Sequence, residues 1–193
     1  RYAVSGLAAQ EPPGAVFFAY GDEDYDSENL LAYEAGYRAD LCDKAAVDFA
    51  AFVNSYSDLR TAEVGLPVFE PGKPFVEVPG VLRNLADGHT AGFEASVTVR
   101  PLDYLRWRTS YSLLKMDIDA DAESNDPSAA MTAGLDPENQ VRSWLAVDLG
   151  GRWEGDLIMY YVDSLPSSGI PSYVRFDARV GYEIARNLSV AFV

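Results

Sequence analysis

The sequence has little of what metal sites, redox sites and nucleic-acid-binding surfaces need. Its 193 residues include one cysteine, Cys42, and one histidine, His89. Single residues of these types exclude a disulfide framework, a cysteine-rich zinc site and a multi-histidine metal site built within the chain. Lysine and arginine number 15 against 30 aspartates and glutamates, giving a formal net charge of −15. We therefore predict no nucleic-acid partner, because a phosphate backbone is bound by a basic patch.

Long apolar runs and a leader are also missing. No stretch approaches the roughly 18 consecutive apolar residues of a transmembrane helix, and no basic-then-apolar leader follows Arg1. The chain begins with arginine rather than methionine, and residues 187–193 begin a strand-like run that stops. We therefore expect the sequence to be a processed or cut piece. Hydrophobic residues make up 48% of it, which is too many for a disordered protein.

No motif of a known catalytic class is present. The sequence lacks a Gly-x-Ser-x-Gly elbow and a Walker-type phosphate loop. Asp117, Asp119 and Asp121 are spaced like the opening of a calcium loop. However, the sixth position is Ala122 and the twelfth is Ser128, where an EF-hand has glycine and glutamate. We therefore predict that the protein is not an enzyme, and we assign it no catalytic residue, no resident metal site and no cofactor.

What the sequence does have is alternation of apolar and polar residues with a period of two. The clearest segments are Gly92–Arg100, Leu105–Leu113 and Val174–Tyr182, in which one parity is apolar and the other polar. Weaker versions lie at residues 30–38, 45–56, 140–149 and 153–162. Period two is typical of strands with two different faces, and no long segment has the helical period. The sequence therefore predicts an all-β fold.

The connections between these segments alternate between tight and long. Tight ones are expected near residues 39–43, 101–103, 150–151 and 185–187, and long ones at residues 10–27, 57–88, 117–138 and 163–172. The pair Gly150-Gly151 suits a two-residue hairpin turn, which requires positive φ. In an antiparallel up-and-down meander, alternate connections lie at the same end. One end therefore carries short turns and the other long loops.

This asymmetry distinguishes between two kinds of β protein. A soluble β-sandwich has the same alternation, with its apolar stripe facing a core. Outer-membrane barrels combine short periplasmic turns with long extracellular loops, and their interfaces carry aromatic girdles. Aromatic residues lie near both ends of the predicted strands, at positions 37, 107 and 153 and at positions 111, 161 and 173. Loop asymmetry and aromatic placement together favour the barrel.

Several segments resemble the barrels of TonB-dependent outer-membrane receptors. The segment DSENLLAYEAGYR (residues 26–38) is similar to a family strand that descends to a periplasmic turn, and VDFAAFVNSYSDLR (47–60) to the strand that follows it. AGFEA (91–95) resembles the family's Gly-x-Glu strand, and residues 161–179 its late hairpin. NLSVAFV (187–193) resembles the beginning of a strand near the end of the barrel.

The resemblance implies a fold and a function. Residues 1–193 would be the C-terminal part of the barrel, a partial antiparallel transmembrane barrel of about eight or nine strands, with the plug domain absent from this chain. The family takes up metal chelates, most often ferric siderophores, across the bacterial outer membrane. The implied partners are a metal–siderophore ligand, outer-membrane lipid, and the plug domain and TonB through the missing N-terminal part.

Ligand-binding candidates come from the polar stripes of the predicted strands. An anionic ligand would be bound best by inward-facing arginines, whose planar guanidinium offers a bidentate fork. These candidates are Arg100, Arg106, Arg108, Arg142, Arg175 and Arg179. The competing expectation is that such arginines pair with carboxylates of the lumen, such as Glu94, Asp148 and Asp177, and hold the wall or the plug.

Two other functions are compatible with the alternation. One is a small complete barrel with a structural or adhesive role in the outer membrane, in which the first strand would pair with the last. The other is a soluble acidic β-sandwich that binds ligands through its long loops and folds in water without detergent. The sequence does not identify the ligand or the metal.

Overall fold

The strands of the protein follow the predicted alternation closely. The computed structural model describes residues 4–7 and 14–193, with backbone only for residues 4–7, 129 and 130. Its strands are β1 (Val4–Leu7), β2 (Gly14–Tyr20), β3 (Asn29–Cys42), β4 (Ala45–Val64), β5 (Val68–Phe69), β6 (Phe75–Leu102), β7 (Leu105–Ala120), β8 (Asn139–Gly150), β9 (Trp153–Val162), β10 (Tyr173–Ala185) and β11 (Leu188–Phe192). A short helix, α1 (Ser128–Thr132), and two 3₁₀ turns, Ala133–Leu135 and Pro166–Ser168, lie in the loops.

The sheet is mostly antiparallel and follows chain order. β3 pairs with β4, β4 with β6, and β6 through β11 pair in sequence. These strands correspond to the meander predicted from the alternation, so the all-β prediction is confirmed. In the described part of the chain β3 and β11 each pair with one strand, so the sheet is open. None of the helices in that part has the length and apolarity that crossing a membrane requires.

Three of the long loops were predicted too long. The loop predicted at residues 117–138 loses its first four residues to β7, which continues to Ala120. Residues 57–88 were expected to be a loop, but β4 continues to Val64 and β6 begins at Phe75. The two extensions pair with each other, as the hydrogen bond from the Gly65 N–H to the Pro79 carbonyl shows (2.7 Å). Residues 10–27, also expected to be a loop, contain β2, and the earlier part of that loop lies outside the described residues.

Pairing at the start of the chain departs from the meander. β1 pairs with β2 antiparallel, whereas β2 pairs with β6 in parallel, with Gly14 opposite Phe75 and Tyr20 opposite Val81. The described residues among the first 20 therefore form two strands, β1 and β2. Alternation could not predict this, because pairing partners far apart in sequence leave no local signal.

The tight turns lie within one or two residues of their predicted positions. They fall at residues 43–44, 103–104, 151–152 and 186–187. Gly150 and Gly151 have φ values of 78° and 62°, as the double glycine predicted. Arg152 follows with a φ of 79°, and its guanidinium donates a hydrogen bond to the Ile184 carbonyl (2.9 Å). That bond ties the β9 turn to the end of β10.

The chain divides into two compact units, and four of its strands contribute residues to both. The first unit holds residues up to 31, 54–89 and 116–133, and the second holds residues 32–53, 90–115 and 134–193. Val78 and Ala86 form the small apolar core of the first unit, beside the buried hydroxyl of Thr61. The second unit has no buried large apolar side chain among the residues described.

The second unit is a sheet with two different faces. The register of β7 to β10 places Trp107, Leu145 and Leu157 in one cross-strand row. These side chains are 48%, 37% and 46% exposed, although they are large and apolar. The neighbouring row of opposite parity contains Asp156 and Arg179. One face is thus a continuous exposed apolar surface and the other is polar, which is what a membrane-spanning barrel wall requires.

Candidate ligand-binding wall

The polar face of β8, β9 and β10 brings two arginines to one tyrosine. Cross-strand register places Arg142 and Arg175 opposite Tyr160 on its two neighbouring strands. The guanidinium carbons lie 5.6 Å and 4.6 Å from the centre of the tyrosine ring. A cation over an aromatic face contributes roughly 0.5–1 kcal/mol at an exposed site and more when desolvated. The tyrosine therefore orients two positive charges on the same face of the sheet.

A second arginine–aromatic contact lies on the same face. The Arg106 guanidinium carbon is 4.7 Å from the centre of the Trp144 ring. The Trp144 indole N–H donates to Asp156 Oδ1 (2.9 Å), so the ring is held in place by a carboxylate of the neighbouring strand. The indole thus fixes the guanidinium without neutralising its charge.

Arg179 and Arg175 are compensated by carboxylates. Arg179 donates to Asp156 Oδ2 (2.9 Å) and to Glu154 Oε1 (2.6 Å), on the adjacent strand β9. Arg175 donates to Asp177 Oδ2 (2.9 Å) on its own strand. Both arginines therefore hold the wall together, as the competing expectation for lumen arginines stated.

Five of the six predicted arginines line two cavities of the second unit. Arg100, Arg106 and Arg179 line a cavity of about 740 Å³. Arg108 and Arg142 line another of about 550 Å³, together with Tyr160 and Glu94. Arg175 stacks on the Tyr160 ring from the other side.

Four of these arginines have no carboxylate within salt-bridge distance in the described part of the chain. They are Arg100, Arg106, Arg108 and Arg142, whereas Arg175 and Arg179 are paired. Of the three carboxylates expected to pair with the arginines, Asp177 pairs with Arg175. Asp148 Oδ1 instead accepts the backbone N–H of Gly150 (2.9 Å), which stabilises the turn.

The aromatic partners are the functional residues that sequence reasoning missed. Trp144 has the same parity as Arg142 on β8, and Tyr160 has the same parity as Glu154 and Asp156 on β9. The alternation alone could therefore have placed both on the polar face. The predicted ligand-binding candidates were arginines alone and therefore did not include them. Four of the predicted girdle residues are indeed exposed, namely Tyr37, Trp107, Trp153 and Tyr173.

Polar contacts also connect β7, β8 and β9 near the ends that lead into the long loops. The Tyr111 hydroxyl donates to Asn139 Oδ1 (2.6 Å), and the Asn139 amide donates to Asp163 Oδ2 (2.8 Å). Asp163 also accepts the Ser164 N–H and the Tyr161 hydroxyl. The Asn139 amide and these further donors hold the pKa of the Asp163 carboxyl below its usual range. The carboxylate therefore stays ionised where the loop leaves β9.

No cluster suited to a metal ion occurs among the described residues. No group of three or more histidine, cysteine, aspartate or glutamate side chains is placed to hold one. Cys42 is exposed at the end of β3.

Comparison with known proteins gives one family and a consistent set of structures. A family model described as "TonB dependent receptor-like, beta-barrel" matches residues 2–193. The siderophore receptor PirA from Pseudomonas aeruginosa superposes with a TM-score of 0.66 and 19% identity over 98% of this chain and 31% of its own. The ferric yersiniabactin uptake receptor FyuA from Yersinia pestis superposes with a TM-score of 0.61 and 12% identity over 86% of this chain and 24% of its own.

A third similar structure is that of a transporter named for copper rather than for a siderophore. The copper transporter OprC superposes with a TM-score of 0.59 and 13% identity over 85% of this chain and 25% of its own. The chain thus spans roughly a quarter to a third of the structures it matches. A comparison with curated proteins finds no match. The predicted partial barrel is confirmed, and the alternative of a soluble β-sandwich is set aside.

Proposed function

Because the chain belongs to the TonB-dependent receptor-like β-barrel family, we propose that it forms the C-terminal part of the barrel of a receptor that imports a metal chelate. Barrels of this family lie in the bacterial outer membrane and are transporters rather than enzymes. The cargo we propose is a ferric siderophore, imported with energy from the TonB system. The plug domain and the contact with TonB would belong to a part of the receptor that precedes this chain.

The observation that carries this proposal is the uncompensated positive charge on the polar face. The chain as a whole has a formal net charge of −15. Even so, the wall formed by β6, β7 and β8 carries Arg100, Arg106, Arg108 and Arg142 without carboxylate partners among the described residues. Guanidinium groups left unpaired on a wet wall attract an anion, and their fork suits carboxylate, hydroxamate or catecholate oxygens.

The cavity of about 550 Å³, which Tyr160 helps to line, is the better of the two candidate ligand-binding cavities. Arg108 and Arg142 line it together, and the Tyr160 ring orients the Arg142 guanidinium. Its volume of about 550 Å³ is in the range of pockets that hold small molecules. In the other cavity, Arg179 is already neutralised by Glu154 and Asp156.

Binding of ferric chelates to the full-length receptor tests this assignment. We expect Arg142→Gln and Arg108→Gln each to weaken binding about tenfold, since a charge-assisted hydrogen bond contributes roughly 1.5–3 kcal/mol. The probes are radioiron complexes of catecholate, hydroxamate and mixed siderophores, measured with receptor in detergent. Arg186→Gln, at the turn between β10 and β11, is the matched control. An equal loss of binding in the control and in the two variants, or no loss of binding in any of them, would contradict the assignment.

The competing proposal is a small barrel with a structural or adhesive role. It requires the first strand of the chain to pair with the last, and it predicts no specific chelate binding. A receptor that binds none of the ferric probes would favour this alternative.

A further inference from the structure

Strand β4 is longer than β3, its neighbour on one side, and its last residues extend beyond the start of β3. β3 begins at Asn29, whose side-chain amide donates to Asp58 Oδ2 (2.8 Å) where the pairing ends. β4 continues to Val64, and its other side stays paired with β6. Alternate N–H groups of a strand point to the same side. The N–H groups of Arg60, Ala62 and Val64 therefore point away from β6 and need acceptors that β3 does not supply.

Side-chain oxygens supply those acceptors. Glu28 Oε1 accepts the N–H of Arg60 (2.9 Å). Asp126 Oδ2 accepts the N–H of Ala62 (2.7 Å), and Asn125 Oδ1 accepts the N–H of Val64 (2.8 Å). The Asn125 amide also donates back to the Val64 carbonyl (3.0 Å). Two neighbouring residues of the β7–β8 loop thus act as the missing strand.

The strand in turn holds the loop. The carboxylate of Glu63 accepts the Ser124 hydroxyl at Oε1 (2.7 Å) and the Asn125 N–H at Oε2 (2.6 Å). Donors and acceptors therefore run in both directions between β4 and residues 124–128, which we call the strap. In such a reciprocal set each group orients its neighbours, so the loss of one bond weakens the others.

Asp126 connects the strap to the helix that follows. Its Oδ1 accepts both the N–H (2.8 Å) and the hydroxyl (2.6 Å) of Ser128, the first residue of α1. One carboxylate therefore joins the edge of β4 to the beginning of α1.

The strap lies at the rim of a cavity of about 380 Å³ in the first unit. Leu59, Leu82, Ala86 and Ile118 supply its apolar lining, and Asp126 and Ser128 of the strap supply part of its polar rim. Ala86 is 3% exposed. A strap that left β4 would uncover this lining.

We propose that residues 124–128 are a releasable latch, which fastens the β7–β8 loop to the edge of β4 and closes the cavity beneath it. The latch opens as one unit: when it is released, the amides of Ala62 and Val64 lose protection together and the cavity becomes accessible. The amide of Arg60 remains protected, because Glu28 holds it independently of the strap. This device is separate from the arginine wall and does not depend on the identity of the cargo.

Amide hydrogen exchange in the full-length receptor tests the cooperativity of the latch. Of the three β4 amides, Asp126→Ala directly removes the acceptor of Ala62 alone. We nevertheless expect exchange at both Ala62 and Val64 to accelerate by at least about tenfold. Arg60 should exchange as in the wild type. Asp121→Ala, which removes the same charge from the same loop, is the control and should change none of the three rates.

Glu63→Ala tests the latch by removing the acceptor that β4 offers to the strap. We expect it to accelerate exchange at Ala62 and Val64 as Asp126→Ala does, although Glu63 accepts neither of these amides. Amides of β8 and β9 in the second unit report whether each variant is folded. Retained protection of Val64 in both folded variants overturns the proposal, and so does equal acceleration of Arg60.

Cavity access is measured with a buried thiol. In a Cys42→Ser background, Ala86→Cys should react slowly with a maleimide when the latch is intact and at least about tenfold faster with Asp126→Ala added. If Ala86→Cys is labelled at the same rate with and without Asp126→Ala, the strap does not close the cavity.

Discussion

At the scale of single residues, Gly92 shows how closely the second unit is packed. A Cβ built on Gly92 would lie 2.7 Å from the Phe52 ring and would also meet the Leu113 carbonyl oxygen. Gly21, in contrast, has no atom within 4 Å of such a Cβ. Gly92→Ala should therefore lower the free energy of unfolding by about 1–3 kcal/mol, as overpacking does. Gly21→Ala should stay within about 0.5 kcal/mol. Urea unfolding of the receptor in micelles measures both, and equal effects would contradict the packing described.

Asp126 sets the pH range in which the strap stays fastened. Burial raises its pKa, but the Ser128 hydroxyl and the N–H groups of Ala62 and Ser128 outweigh burial, so the pKa lies below the ordinary 3.8. A carboxyl with a lowered folded pKa contributes stability that is present above the unfolded value and is lost as pH falls through the folded value. The other charged groups facing it are Arg60, Glu28 and Glu63. Burial raises the pKa of Glu63, but hydrogen bonds from Asn125, Thr61 and Ser124 outweigh burial and lower it as well.

We therefore expect no release of the strap between about pH 7 and pH 5, and release only below pH 3.8. A nitroxide on Ala122→Cys in a Cys42→Ser background reports strap mobility by electron paramagnetic resonance. Release already near pH 6 would contradict the hydrogen-bond assignment at Asp126.

At the scale of elements, the two faces of a strand differ in what they tolerate. Val97 belongs to the apolar stripe of β6 and is 45% exposed, whereas Thr98 stands on the polar stripe. Val97→Arg should cost about 2–4 kcal/mol if the site lies near the bilayer midplane, and Thr98→Arg much less. Unfolding of the receptor refolded into lipid vesicles measures the difference. Equal tolerance at the two positions would contradict the lipid-facing assignment.

The alternation that identifies the faces also explains what the sequence could predict. Strands β7 to β10 and their turns follow from period two and from Gly150-Gly151, because both signals are local. No local pattern predicts the extensions of β4 and β6 or the parallel pairing of β2, because these depend on partners far along the chain. The arginines of the wall were predictable from parity. Their division into paired and unpaired groups required the register that brings Glu154 and Asp156 to Arg179.

At the scale of the whole molecule, we propose that the chain is part of a larger receptor wall. It matches roughly a quarter to a third of each similar structure described above. Its second unit provides an apolar face for lipid and a polar face with uncompensated arginines. Its first unit carries the latch. In the function proposed above, uptake would need a plug and an energy-coupling segment in addition to this chain.

Accumulation of iron by cells is the most direct test of the central claim. The full-length receptor would be expressed in a strain that lacks its other siderophore receptors, and cells would be offered radioiron complexes of catecholate, hydroxamate and mixed siderophores. We predict accumulation above the empty-vector control with at least one of these complexes, and its loss when TonB is deleted or the proton gradient is collapsed. No accumulation with any complex, or accumulation that persists without TonB, would contradict the account.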